Sequence, residues 1–181
     1  MKFKSFYESI DIEAYHGAPR PIEKFSDDFV GQGVDQEGPG IYMTTNEEDA
    51  AGYARKSEGD GRIYKVIVHL KKPIPSKGRV KEAEIDSLID WCEGYEDKLT
   101  DWGHENLQDN IKAFKQSLRR QPNPKEVFLS IWYDLYRHNP INYVRNMVLL
   151  GYDGLIVQKE FMNTKHIIVY NPKCIEVVDS Y

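Results

Sequence analysis

The sequence predicts an α+β fold, and three observations predict it. Short β-branched segments gather at the two ends of the chain, the stretch from about residue 80 to residue 150 carries helical periodicity, and no regular strand–helix alternation runs between them. The last point removes a doubly wound parallel sheet. What remains is a mixed or antiparallel sheet assembled from both ends of the chain, with helices to one side.

The first strand is Ile12-Glu13-Ala14-Tyr15-His16-Gly17; Pro19 and Pro21 behind it forbid a helix, so His16 is delivered to a turn. From Ser26 to Pro39 glycine and aspartate dominate, with Gly31, Gly33 and Gly38 spaced too loosely for an element, which predicts a mobile loop. Gly40-Ile41-Tyr42-Met43-Thr44 reads as a second strand. Thr45 or Asn46 then caps a helix whose acidic start, Glu47-Glu48-Asp49, suits the positive end of the helix dipole, and which runs through Ala50, Ala51, Tyr53 and Ala54 to a stop at Gly59-Asp60-Gly61. Ile63 to Leu70 has the composition and alternation of a buried strand, ended by Pro73 and Pro75.

Four apolar stripes follow at helical spacing: Ile85, Leu88, Ile89 and Cys92; Leu107, Ile111, Phe114 and Leu118; Val127, Ile131 and Leu135; Ile141, Val144 and Val148. Pro122, Pro124 and Asn139-Pro140 divide the later ones, proline being tolerated in a first helical turn. Strands return at Leu155-Ile156-Val157, at His166-Ile167-Ile168-Val169-Tyr170 and near Ile175 to Val178. Asp153, between Gly151 and Gly154, reads as a turn former.

At 181 residues the chain has the length of one domain, 1–181, with the helical insert at about 80–150. A net charge of −5 and the lack of a long Lys/Arg block remove the electrostatic footprint of a nucleic-acid binder. Cys92 and Cys174 form no C-x-x-C or His/Cys cluster, so no metal is expected and a reducing cytoplasm fits. No apolar run reaches the length of a signal peptide core or a membrane span, so a cytoplasmic protein with no membrane partner, taken as a monomer, is expected. No G-x-G-x-x-G, P-loop, H-E-x-x-H or G-x-S-x-G motif is present.

Tyr15-His16-Gly17, Gly40-Ile41-Tyr42-Met43-Thr44 running on to Ala51-Gly52-Tyr53-Ala54, Gly151-Tyr152-Asp153-Gly154 and Ile167-Ile168-Val169-Tyr170-Asn171-Pro172 occur in an order that resembles the H-Y-E class of ADP-ribosyltransferases, the diphtheria-toxin and PARP-like group, and in particular its small phage and mobile-element versions. The resemblance implies a split mixed or antiparallel sheet with a helical insert. It also implies NAD as substrate, cleavage of the nicotinamide–ribose bond, and transfer of ADP-ribose to a macromolecule, or to water in its absence. A protein acceptor is favoured over nucleic acid by the charge, and a phage-borne version would act in the host cytoplasm.

Carried over residue by residue, His16 bonds the ribose next to nicotinamide, Gly17 holds the carboxamide through its backbone, and Tyr42 and Tyr53 sandwich the ring; aromatic contacts of this kind contribute roughly 0.5 to 2 kcal/mol each. The chain departs from the family pattern twice. Ala50 stands where many relatives have a serine, and His166 stands where they have the glutamate that holds the ribose 2′-hydroxyl and steadies the cationic transition state. Three repairs are open: Glu160 folds back as the carboxylate, His166 acts as general base toward an acceptor, or a carboxylate comes from the enzyme's own substrate. The alternative is a catalytically degenerate module that binds NAD or a protein partner and regulates.

Overall fold

The computed structural model describes residues 9–31, 37–55, 60–101, 106–159, 161 and 163–181. Six strands and six α-helices are present among them. Strands β1 (Ile10–Ala18), β2 (Ile41–Thr44) and β3 (Arg62–Leu70) flank helix α1 (Glu47–Ala54). Helices α2 (Glu82–Asp90), α3 (Tyr95–Thr100), α4 (Leu107–Arg119), α5 (Pro124–Ile131) and α6 (Pro140–Leu149) follow, then β4 (Gly154–Lys159), β5 (Thr164–Val169) and β6 (Ile175–Ser180).

The strands form one sheet in the order β4-β5-β2-β1-β3-β6, and all paired strands run antiparallel. The only parallel contact among the described residues is an isolated bridge between Pro73 and Gly154. The sheet is split in the middle. β1 pairs with β3 along nine residues, from Ile10↔Leu70 to Ala18↔Arg62, but meets β2 at the single pair Tyr15↔Thr44. Beyond that pair, toward Gly17 on one strand and Tyr42 on the other, the two half-sheets part like a fork.

Alternation along the strands sets what each face carries. In β1 and β3, Ala14, Ala18, Tyr64, Val66, Val68 and Leu70 are buried in the main hydrophobic cluster with residues of the helical insert. Tyr15 and Gly17 leave on the other face, where α1 packs through Ala50, Ala51 and Ala54. Thr44 pairs with Tyr15 and so shares α1's face, as does Tyr42 two residues earlier; His166, paired with Thr44 across β2 and β5, shares it too.

Gly17 makes the α1 contact possible. A β-carbon there would lie 1.8 Å from the carbonyl oxygen of Ala50, closer than any two such atoms can approach. Asn46 caps α1 by accepting from the backbone N–H groups of Glu48 and Asp49, as the sequence leads one to expect. The caps of α5 and α6 are Asn123 and Asn139, each followed by the proline at the first helical position.

The helical stretch differs from its sequence reading in three places. The buried stripe of α6 is Tyr143, Val144, Asn146 and Met147, whereas Ile141 and Val148 are 36% and 37% exposed. Burial of the Tyr143 ring, whose hydroxyl donates to the Phe128 carbonyl at 3.1 Å, turns the helix away from the purely aliphatic stripe. A π-turn at 132–136 continues α5 and buries Trp132, Leu135 and Tyr136, where one regular helix was expected. Helix α3, too short for a periodic signal, was not foreseen. The predicted helix stop at Gly59 lies outside the described residues, α1 ending at Ala54 with Arg55 as its cap.

Candidate active site

His16 stands where the fork opens, its side chain on the face of Ala14, Ala18 and its cross-strand partner Tyr64, opposite the face that carries Tyr42 and α1. Its Nδ1 lies 2.7 Å from the carbonyl oxygen of Tyr42, so the side chain bridges the two strands where the ladder has stopped. A carbonyl only accepts, so Nδ1 carries the proton and, in the neutral ring, Nε2 is left as an acceptor. Burial holds the imidazole below its ordinary titration range, against the opposing hydrogen bond to Tyr42. Phe25 meets the ring edge-on, with centroids 5.2 Å apart, and is itself fixed by Tyr64, whose hydroxyl bonds both backbone groups of Ile22.

Gly17 directs its backbone into the fork. Ile63 exchanges both hydrogen bonds with Tyr181, so its peptide groups face β6 and not β1. In an antiparallel ladder the opposite residue of such a pair also turns away. Gly17 is that residue, and its N–H and C=O therefore point toward β2, past the last pair of the ladder. Close packing against Ala50 is thus one reason for the glycine, and an aimed donor–acceptor pair is the second property of the position.

Tyr42 is half-buried and fixed at its far end. Its hydroxyl donates to the Gly38 carbonyl at 2.6 Å and accepts from the Glu37 N–H at 3.0 Å. Tyr53, on α1, is 54% exposed. His166 is half-buried on β5, between Thr44 and Val157 in the sheet. Burial and the charge of Lys159 press its imidazole below the usual range, while Asp49 and Glu37 pull the other way. Glu160 lies outside the described residues.

Two carboxylates near His166 escape sequence reasoning. Glu37, its side chain only 12% exposed, forms ion pairs with Lys125 of α5 and, at 2.6 Å, with Lys159 of β4. Burial raises its pKa, but the hydrogen bonds and charges of the two lysines outweigh that and hold it below the ordinary value. Nothing in a glycine-rich loop marks such a residue, because its partners are far away in sequence. Asp49 reads as one more acidic residue in a helix's first turn, yet the Thr44 hydroxyl donates to its Oδ2 at 3.4 Å.

Asp153 accepts from the backbone N–H groups of Lys71 and Lys72 and so clamps the exit of β3, in keeping with its reading as a turn former. A cavity of about 860 Å³ between the 23–30 segment, α6 and β6 contains none of the predicted site residues, although Phe25, the neighbour of His16, lines it. The chemistry described above belongs to the fork and not to that cavity. Among the described residues no group of three or more His, Cys, Asp or Glu side chains is placed to hold a metal, and no helix is long and apolar enough to cross a membrane.

No curated protein and no solved structure matches the chain. A family model described as ADP-ribosyltransferase in polyvalent proteins matches residues 11–180, and the antiparallel sheet split beside His16, Gly17 and Tyr42 is the fold expected of it. The chain therefore belongs to the ADP-ribosyltransferase superfamily.

Proposed function

We propose that the chain binds NAD with its nicotinamide end in the fork between β1 and β2 and transfers ADP-ribose to a protein acceptor. The observation that carries this reading is the aim of the Gly17 peptide groups. A carboxamide offers an NH2 donor group and a carbonyl acceptor, the complement of the C=O and N–H that Gly17 directs past the end of the ladder. Tyr42 on β2 and Tyr53 on α1 are suited to hold the flat ring between them. His16, with Nε2 as acceptor, suits a ribose hydroxyl.

In the reaction the bond between the ribose C1′ and the nicotinamide nitrogen breaks, its electron pair leaving with nicotinamide. The acceptor's nucleophile bonds to C1′ and gives its proton to a base. His166, kept neutral near pH 7 by burial and by Lys159, is suited to take it, and water in place of the acceptor gives hydrolysis.

The test is NAD labelled in both halves, incubated with the full chain and a cell lysate. Nicotinamide release with label transferred to protein is expected, with losses on the order of 100-fold or more in His16→Ala and Tyr42→Ala. The replacement of the family glutamate by His166 favours one second reading, a module that binds NAD without turning it over. Calorimetric binding of NAD with no nicotinamide release would select it, and neither binding nor release would retire both.

A further inference from the structure

We propose that Asp49 is the carboxylate partner of His166, the two together standing where relatives place one glutamate. This rests on the active-site reading above, and the geometry carries it independently of any titration. Thr44 and His166 are a direct cross-strand pair, so their side chains leave the sheet on the same face and side by side. The Thr44 hydroxyl donates to Asp49 Oδ2 at 3.4 Å, which holds that carboxylate beside the cross-strand neighbour of His166. Asp49 is also four residues before Tyr53 on α1, one helical turn along the same side, so it borders the space proposed for nicotinamide.

The pairing answers the difficulty that His166 creates. A neutral imidazole can accept a proton or a hydrogen bond but brings no charge to oppose a developing cation. A carboxylate behind it supplies that charge and favours the imidazolium formed when the base takes a proton. As the C1′–nitrogen bond breaks and the acceptor bonds to C1′, the acceptor's proton passes to His166, and Asp49 faces the resulting positive ring. Asp49 thus acts through His166 and is a positioning residue.

Other charged and titratable groups face or flank His166, and each enters the expected behaviour. Lys159 of β4 opposes protonation, Glu37 of the 37–40 segment favours it, Lys165 is the adjacent residue of β5, and Tyr15 of β1 lies one strand beyond Thr44 in the same row.

The experiment is histidine-ring NMR on the full chain, with His166→Gln to assign the signal. Asp49→Asn should shift the His166 titration to lower pH. Glu48→Gln, which removes a charge from the same helix end, should leave it in place. Asp49→Ser, tolerated in a first helical turn, reads the same quantity should the asparagine variant not fold. With NAD, Asp49→Asn should lower kcat about tenfold with little change in KM, and the acidic limb of the kcat profile should move to lower pH with the titration.

A His166 titration unmoved in a folded Asp49 variant overturns the proposal, as does a lower kcat whose acidic limb stays where it was. A wild-type protein without turnover retires the transferase reading alone. The NMR comparison then still decides whether Asp49 and His166 are coupled.

Discussion

His16 is held by two opposing demands, and its titration exposes both. Burial lowers its folded pKa below the ordinary value of 6.5, so in that window the unfolded chain binds the proton that the folded chain refuses. Stability should therefore fall as pH drops through about 6.5 and level off below the folded pKa. Urea unfolding at pH 7.5 and 5.5 should show this loss in the wild type and less of it in His16→Asn; equal losses would show that His16 is not the group responsible. Tyr42 makes a different demand, because its hydroxyl is held by Glu37 and Gly38 at the far end of the ring. Tyr42→Phe should cost about 1–2 kcal/mol in unfolding experiments and raise KM for NAD, while Tyr42→Ala removes activity. Both residues are visible in the sequence as parts of short motifs. Their hydrogen-bond partners are not, since the carbonyl that fixes His16 belongs to another strand and carries no side-chain signature.

Helix α1 and the strand beneath it show how two glycines of similar appearance differ. Gly17 has no room for a β-carbon because the Ala50 carbonyl occupies that direction, whereas Gly52, on the outer side of α1, has nothing within 4 Å. Gly17→Ala should cost about 1–3 kcal/mol or more by forcing α1 off the sheet, and Gly52→Ala should stabilise by about 0.5–1 kcal/mol through helix propensity; thermal melting of the pair checks both signs. A second element-level device ties β1, β3 and β6 together on the same face. His69 of β3 places Nδ1 2.8 Å from Asp11 of β1 and Nε2 3.2 Å from Glu176 of β6. The hydrogen bonds to the two carboxylates raise its pKa, so its contribution is complete below the unfolded value of 6.5 and is lost as pH rises through the folded one. The melting-temperature gap between wild type and His69→Gln should be widest near pH 5.5 and close by about pH 8.5. The element boundaries of the sheet were nearly all legible from alternation and breakers. The buried face of α6 was not, because the polar-edged ring of Tyr143 competes with aliphatic residues in a way that periodicity alone does not rank.

Across the whole molecule, Glu37 is the strut between parts that are distant in sequence. It joins the segment that carries Tyr42 to α5 through Lys125 and to the end of β4 through Lys159. Glu37→Gln leaves two partly buried ammonium groups without their counter-charge and should cost about 1–2 kcal/mol, the exposure of the lysines keeping it below the cost of breaking a fully buried pair. Hydrogen exchange should quicken at both Tyr42 and β4 in that variant, and a change confined to the 37–40 segment would deny the long-range tie. The sequence by itself determined the α+β class, the helical insert, the strands at both ends and the order of His16, Gly17, Tyr42 and Tyr53, because periodicity, breakers and short motifs are properties of neighbours along the chain. Only the tertiary structure decided that β1 and β2 meet at one pair and then part, that Gly17 aims its peptide groups into the gap, that Thr44 bonds Asp49 next to His166 in the sheet, and that Glu37 pairs with Lys125 and Lys159. Those relations depend on hydrogen-bond register and on charges brought together from remote positions, and a linear pattern holds no record of either.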